Sequence, residues 1–387
     1  MLLSGGSDRV SKTLKFSDVL SKKLGLQYTH FKCDNHVNET AWEEVQKVRK
    51  VEMVENVITK CFGLFKNSAS RKLKLAAIAK EYEERSLRIR GLFAVKYLTS
   101  EKDATESFLV DYLQLLKLTD NLRKDKKLKK EQRENVGRLL TSLRIARVLI
   151  NAVALHSALE EAVAPYQLWS QKMEASAFER EFQKTKLYSK MKAMKQSSRL
   201  PDKQRRFLEK IDYEAKTFMK AESVILYCPI NIEEAEAKVL SARSAICDKF
   251  RVAKERLHKT TDPLFLKRLS VVLDCRNWDE KIFVLKFDHF KKNCIENVLA
   301  KDNGQDTFTS GLDLGSLEME LIQCFNIIRS KELLEPMQAA KHMYKQWQIV
   351  LRQKEAPVCE TLRKLIKRAQ RAPNSQAGCE RSHYKYA

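Results

Sequence analysis

The chain has 387 residues and a formal net charge of +23. Its 10 glycines and 7 prolines are too few for an architecture of many strands and tight turns, whereas long helices need neither residue. No apolar stretch approaches the roughly 18 residues of a membrane span, so we expect a soluble chain that touches a membrane at most. The excess of positive charge favours a polyanionic partner, and nucleic acid and anionic membrane are the two common candidates.

Cysteine usage indicates the compartment. The 9 cysteines are an odd number and contain no Cys-x-x-Cys pair. We therefore expect reduced thiols in a cytoplasmic protein, with neither a disulfide framework nor a zinc site. The opening residues Met1 to Gly6 contain no basic segment followed by an apolar stretch, so no signal peptide is predicted.

Residues 1–39 are predicted to form a separate N-terminal segment. Val10, Leu14, Leu20 and Leu24 recur at near-helical spacing with lysines between them, which predicts a short amphipathic helix. Its apolar stripe either docks on the core of the same protein or lies in a membrane interface.

Residues 40–300 are predicted to form one helical domain. Thr40 and Glu43 have the capping-box spacing that starts a helix, and a second helical run is expected from about Arg71 to Tyr97. Apolar residues recur every three or four positions through this stretch, which is the period of an amphipathic helix.

The stretch from Ala104 to about Gln196 contains one glycine, Gly137, and one proline, Pro165. An apolar stripe of this length predicts a long, coiled-coil-like or bundle helix. Pro165 should bend that helix, because its ring removes one backbone hydrogen bond and clashes with the preceding turn.

Ser197–Asp202 predicts a helix stop and restart, and the next helix is expected from about Lys203 to Tyr227. Further helices are expected up to residue 300. Residues 301–371 are predicted to be a C-terminal helical extension, and residues 372–387 a disordered tail.

Catalytic signatures are missing from the sequence: it has no glycine-rich phosphate loop, no His-Glu-x-x-His and no nucleophile elbow. We therefore predict that the protein is not an enzyme and uses no cofactor or small-molecule substrate. His30, Cys33 and His36 lie close together but lack a fourth ligand at zinc-finger spacing, so we expect a surface loop there and no metal site.

Basic residues concentrate around Ser197–Asp202. Between residues 184 and 220, 12 Lys and Arg stand against 4 Asp and Glu. Lysines near an anionic leaflet contribute about 1 kcal/mol each, so this turn cluster predicts reversible membrane binding, with a solvated helical face as the alternative. The predicted binding residues here are Lys190, Lys192, Lys195, Arg199, Lys203, Arg205, Arg206 and Lys210.

Two further basic segments follow the same logic. The first contributes the predicted anion-binding residues Lys124, Lys126, Lys127, Lys129 and Lys130. The second, residues 362–371, alternates basic residues with Leu362, Leu365 and Ile366. That pattern suits a membrane surface or a calmodulin-type partner, or equally a capping helix laid over a bundle.

Aromatic residues give little support to nucleic-acid binding. Base-stacking platforms need aromatics among basic residues on an open face, and only Phe178, Phe182 and Phe207 are candidates.

Several segments between residues 14 and 300 resemble the BAR domain, a crescent-shaped dimeric module that binds membranes. They are Leu20–Gly25, Trp42–Glu44, Gly137–Leu140 followed by Pro165–Trp169, Lys210–Ala215 and Glu233–Leu257. The resemblance implies an all-α, elongated antiparallel bundle of long bent helices, formed by a homodimer. It also implies a function in sensing or shaping curved anionic membranes, in endocytosis or vesicle traffic. A basic helical nucleic-acid-binding protein and a helical scaffold for acidic proteins are the alternatives.

Overall fold

The computed structural model describes residues 4–7, 19, 23, 29–87, 89–92, 98–172, 176–218, 223–259, 270, 272–278, 311–356 and 358–371. These residues are mostly helical, which confirms the predicted all-α class. The predicted tail, residues 372–387, and most of the predicted N-terminal amphipathic helix lie outside the described residues.

The α-helices fall along the whole chain. In chain order they are α1 (Asp34–Gln46), α2 (Arg49–Phe65), α3 (Ala69–Glu81), α4 (Leu98–Val110), α5 (Tyr112–Lys124), α6 (Lys130–Arg144), α7 (Ala146–Ala158), α8 (Ala164–Ser170), α9 (Arg180–Gln196), α10 (Asp202–Leu208), α11 (Ile232–Lys259), α12 (Leu314–Ser330), α13 (Leu334–Ala339), α14 (Met343–Leu351) and α15 (Glu360–Arg371). A π-helix covers Leu159–Val163, and 3-10 turns cover Ala177–Glu179 and Cys275–Asn277.

The chain divides into two compact units. The first comprises Met1–Asn38, Leu168–Lys186 and Glu255–Ala387, and the second comprises Glu39–Gln167 and Leu187–Lys254. Each unit is assembled from separate stretches of chain, and the four consecutive segments expected from the sequence stay a prediction.

The continuous helix predicted from Ala104 to Gln196 is not formed. The chain leaves helical geometry at Asp111, again between α5 and α6, and again at Ile145, whose φ of −76° and ψ of 110° are extended. None of these positions is a glycine or proline, so the sequence offered no breaker to read. Folding back lets α5 and α6 bury their leucines against each other, which a single straight helix does not. The predicted bundle of long bent helices is therefore not confirmed.

Pro165 distorts its helix without ending it. The π-helix Leu159–Val163 precedes it, and α8 continues from Ala164. Proline cannot donate a backbone hydrogen bond to the carbonyl four residues earlier, and a wider π-turn gives its ring room. The distortion foreseen at this proline is thus a local widening of the helix.

The helix predicted from Lys203 to Tyr227 is wrong beyond Leu208. After α10 the chain forms a small antiparallel sheet of β3 (Ile211–Asp212), β4 (Thr217–Phe218) and β5 (Ser223–Val224), in the order β3-β4-β5. The Asp212 carboxylate accepts the backbone N–H groups of Glu214 and Ala215, at 3.1 and 2.9 Å, and so turns the chain. The β-branched and aromatic residues that follow favour strand over helix.

The core of the second unit is built around α7. Every residue of this helix is buried except Arg147, and α2, α4 and α10 pack against it. A helix that is apolar around most of its circumference is a buried helix, although α7 also buries Asn151, His156 and Ser157. Each fully buried Leu, Ile or Val contributes roughly 1.5–3 kcal/mol, so α7 supplies a large share of the stability of this unit.

The core of the first unit contains α12 to α15. The fully buried Trp347 donates its indole N–H to the Leu273 carbonyl at 2.7 Å, and Trp278 stacks on Phe325 with ring centroids 5.0 Å apart. A separate parallel pair joins β1 (Ser4–Ser7) to β2 (Thr29–Lys32).

The basic C-terminal helix α15 lies over the core of the first unit. Leu362, Leu365 and Ile366 are buried, whereas Arg363 and Lys364 are exposed. The capping-helix alternative is therefore confirmed, and the apolar stripe of α15 is already used inside the protein.

Candidate functional site

Helices α5 and α6 form a helical hairpin in the second unit, and its tip comprises residues 124–130. Asp125 shapes the tip, because its carboxylate accepts the N–H of Lys127 at 2.9 Å and its carbonyl accepts the N–H of Leu128 at 3.2 Å. This Asx-type turn reverses the chain without glycine or proline. The hairpin packs tightly along its length, so the tip is held on two fixed helices.

The tip presents exposed lysines. Lys126, Lys127, Lys129 and Lys130 are exposed and make no ion pair with any residue that the structure describes. Lys124 is used differently, since its ammonium lies 2.5 Å from the Asp120 carboxylate. Burial alone would raise the pKa of Asp120, but hydrogen bonds and the charges of Lys124 and Arg123 lower it.

A basic cleft of about 360 Å³ opens beside α6, a size typical of small-ligand sites. Its cations are Lys60, Arg71 and Arg138, and its lining contains no carboxylate. The remaining lining residues are Gly63, Leu64, Gln132, Asn135, Val136 and Leu139. Arg71 donates to the Leu64 carbonyl at 3.1 Å, which holds its guanidinium at the cleft.

Helix α3 links this cleft to the hairpin tip. Arg71 lines the cleft, while Lys74 and Asp125 line a neighbouring cleft of about 270 Å³. Between these two positions Leu73 is 72% exposed, and it is flanked by exposed Lys72 and Lys74. We define the basic face as Lys60, Arg71, Lys72, Leu73, Lys74, Lys126, Lys127, Lys129, Lys130 and Arg138.

Most basic side chains of the turn cluster around Ser197–Asp202 form ion pairs within the protein. The helix stop itself is confirmed, since α9 ends at Gln196 and α10 begins at Asp202. The pairs are Lys190–Glu161 (3.8 Å), Lys195–Asp248 (2.8 Å), Lys203–Glu160 (2.5 Å), Lys203–Glu106 (3.1 Å), Arg205–Glu236 (3.3 Å), Arg205–Glu209 (3.5 Å) and Lys210–Glu84 (2.9 Å). Within this turn cluster, Lys192, Arg199 and Arg206 are exposed and make no ion pair with a described residue.

The other sequence candidates do not form an open site. Phe178 and Phe207 are buried, and Phe182 lies under the Arg276 guanidinium, 4.6 Å from its ring centroid. His30 belongs to β2, Cys33 is buried and His36 belongs to α1, so the surface loop expected there is not formed.

The tip lysines were visible in the sequence because they are contiguous, whereas the cleft was not. Lys60, Arg71 and Arg138 come from three helices, and only packing brings them together. Leu73 gave no signal either, because a leucine in a helical pattern predicts core.

Comparisons with protein-family models, with curated proteins and with solved structures found no match to the chain. Among the described residues, no helix has the length and apolar character needed to cross a bilayer. A functional proposal therefore depends on the chemistry of the basic face itself.

Proposed function

We propose that the protein binds anionic membrane surfaces peripherally through the basic face. The observations that carry this proposal are the 72% exposed Leu73, which is flanked by exposed Lys72 and Lys74, and the four exposed tip lysines, which make no ion pair with a described residue. Lysines attract the anionic headgroups, and the leucine enters the apolar boundary beneath them. The cleft beside α6 accommodates a phosphate-bearing headgroup between Lys60, Arg71 and Arg138.

Three features favour a membrane over nucleic acid. All cations of the tip are lysines, and the arginines of the basic face, Arg71 and Arg138, lie at the cleft, whereas nucleic-acid recognition commonly uses the planar fork of arginine. No aromatic residue occurs in the sequence between Tyr112 and Tyr166, so the hairpin has no platform for stacked bases. An exposed leucine gains free energy in a bilayer interface and gains little on a phosphate backbone.

The expected contributions to the binding free energy explain why all parts of the basic face are needed. Four tip lysines at about 1 kcal/mol each supply about 4 kcal/mol, which corresponds to a dissociation constant of only about 1 mM. Burying Leu73 adds roughly 1.5–3 kcal/mol, and the cleft adds charge at short range. Together these contributions reach the micromolar range of a reversible peripheral protein.

Vesicle flotation tests the proposal with two charge-matched variants. The tip variant combines K126E, K127E and K129E, and the control variant combines K192E, R199E and R206E. All six residues are exposed, and both variants change the net charge equally. We expect at least tenfold weaker binding of the tip variant to vesicles of phosphatidylcholine with phosphatidylserine, and a much smaller loss for the control.

Equal losses in the two variants would show that net charge alone drives binding and would sink the proposal. Binding to duplex DNA but not to anionic vesicles would favour the nucleic-acid alternative instead. Vesicles of pure phosphatidylcholine serve as the uncharged reference.

The BAR resemblance adds a finer proposal, namely a homodimer that senses membrane curvature. It predicts a molecular mass of two chains and tighter binding to small vesicles than to large ones. Light scattering and flotation with vesicles of two diameters test these points, and a monomer that binds both sizes equally contradicts them.

A further inference from the structure

A polar cluster lies within the second unit, apart from the residues of the basic face. It consists of Glu106 on α4, His156 on α7 and Glu160 in the π-helix. One potential ligand atom from each side chain lies within 4.8 Å of the other two. The two glutamates are half-buried, so solvent reaches the cluster.

Sequence spacing and a contact between two helices bring these residues together. His156 and Glu160 are four positions apart along the helix, and the π-turn begins between them at Leu159. Helix α4 packs against that π-turn and brings Glu106 to it. Single π-turns inside helices frequently mark functional sites, because they aim side chains that a regular helix does not.

His156 is the observation that points to a ligand. It is fully buried, and neither ring nitrogen has a hydrogen-bond partner among the described residues. Its Nδ1 lies 3.6 Å from a Glu160 carboxylate oxygen, which is too long for a hydrogen bond. A neutral imidazole has one ring nitrogen whose lone pair can bind a metal ion. Leaving such a group unsatisfied costs about 1–3 kcal/mol.

Lys203 marks where a cation belongs in the cluster. Its ammonium lies 2.5 Å from Glu160 Oε1 and 3.1 Å from Glu106 Oε1, between the two carboxylates. The Lys203 side chain is 49% exposed, so a cation that binds the two carboxylates more strongly can displace its ammonium into solvent. Gln204 donates to Glu160 Oε2 at 2.8 Å, which orients that carboxylate, and the buried Gln204 Oε1 has no partner among the described residues.

We propose that Glu106, His156 and Glu160 bind a divalent first-row transition-metal ion, which displaces the Lys203 ammonium. Two carboxylates and one neutral imidazole suit Mn²⁺, Fe²⁺ or Zn²⁺, whereas Ca²⁺ and Mg²⁺ prefer oxygen ligands alone. Metal–ligand distances of about 2.0–2.2 Å require the three side chains to close in slightly. Three protein ligands leave a coordination position for water or a ligand, which is the pattern of an open metal site.

The test uses Mn²⁺, because a hard ion avoids the thiolates of the 9 cysteines. Electron paramagnetic resonance with equilibrium dialysis gives the stoichiometry and the dissociation constant. We expect one Mn²⁺ per wild-type chain and at least tenfold weaker binding by E106Q and by E160Q. The matched control is D103N, which removes a carboxylate of the same helix that pairs with Arg90 outside the cluster.

Lys203→Met separates the metal from the structural alternative. If the ammonium competes with the metal, K203M should bind Mn²⁺ several-fold more tightly than wild type. Wild-type protein that binds neither Mn²⁺ nor Zn²⁺, or equal binding by E160Q and D103N, overturns the proposal. H156Q should weaken Zn²⁺ more than Mn²⁺, and if it does not fold, E106Q at its half-buried position still decides the question.

Discussion

At the scale of single residues, Asp111 carries a charge that the fold opposes. The residue is fully buried at the start of α5. Burial raises the pKa of Asp111 to about 6, although hydrogen bonds from Leu87 and Ser86 and the charge of Lys210 act against this. Ionising the carboxyl at neutral pH therefore costs stability.

Asp111→Asn should stabilise the protein at pH 7.5 by about 1–3 kcal/mol, because it keeps the acceptor for the Leu87 N–H and removes the buried charge. The raised pKa means that the folded state holds the proton more tightly than the unfolded state. The contribution of Asp111 to stability is therefore complete below about pH 4 and is lost as the pH rises through about 6. Denaturant unfolding at pH 3.5 and 7.5 checks this. Equal stability differences at the two pH values would contradict it.

Cysteine reactivity gives a second residue-scale prediction. Of the 7 described cysteines, 6 are buried and Cys228 is partly exposed. Burial raises the pKa of Cys61 and of Cys247 to about 12, so their thiolates are scarce at neutral pH. Among the described cysteines, Cys228 should therefore react first with iodoacetamide. Peptide mass spectrometry measures the extent of labelling at each cysteine. Labelling of Cys61 at the same rate in native protein would contradict the burial of its helix.

At the scale of elements, the burial of the apolar face of α15 in the protein core can be tested by mutation. Leu365 is buried and the adjacent Lys364 is exposed. Leu365→Ala should cost about 2–5 kcal/mol of unfolding free energy, because it leaves a cavity. Lys364→Ala serves as the control and should stay within about 0.5 kcal/mol of wild type. A small effect of Leu365→Ala would return α15 to the candidates for membrane binding.

The same element shows what the sequence allowed us to predict. Apolar spacing identified the apolar face of α15, because one apolar face imposes a period of 3.6 residues, but it left open whether that face meets the core or a membrane. It also marked part of α7, which the structure buries on every side except at Arg147. The reversal at Asp125 was missed because its Asx-type turn uses neither glycine nor proline. The extended residue Ile145 was missed because its backbone pairs with Leu226, far along the chain. The strands after α10 were missed for a related reason, since two-residue strands are too short for any period.

Some residues of the candidate sites could be predicted from the sequence, and others could not, for the same reason. Lys126, Lys127, Lys129 and Lys130 were predictable as one contiguous segment, whereas the paired state of Lys203 was not. Its partners Glu106 and Glu160 are distant in sequence, and their identity decides whether a lysine is free to bind a ligand. The cluster with His156 was missed for the same reason.

At the scale of the whole molecule, the net charge of +23 and the single exposed leucine of the basic face predict different salt dependences. The Debye length falls from about 30 Å at 0.01 M salt to about 3 Å at 1 M, so charge contributions fade over that range. Apolar burial does not fade, and sulfate even strengthens it. Binding to anionic vesicles should therefore have a steep salt-sensitive part and a residual salt-resistant part.

Leu73→Ser separates these two parts. Losing roughly 1.5–3 kcal/mol of apolar burial should weaken vesicle binding about tenfold or more, by a factor that is the same at low and high salt. The tip variant should instead lose affinity mainly at low salt, where lysines attract the leaflet most strongly. Val252→Ser is the control, because Val252 is 53% exposed in the same unit but belongs to α11, outside the basic face. If Leu73→Ser and Val252→Ser bind vesicles alike at every salt concentration, Leu73 does not enter the bilayer, and adsorption by charge alone is what the basic face provides.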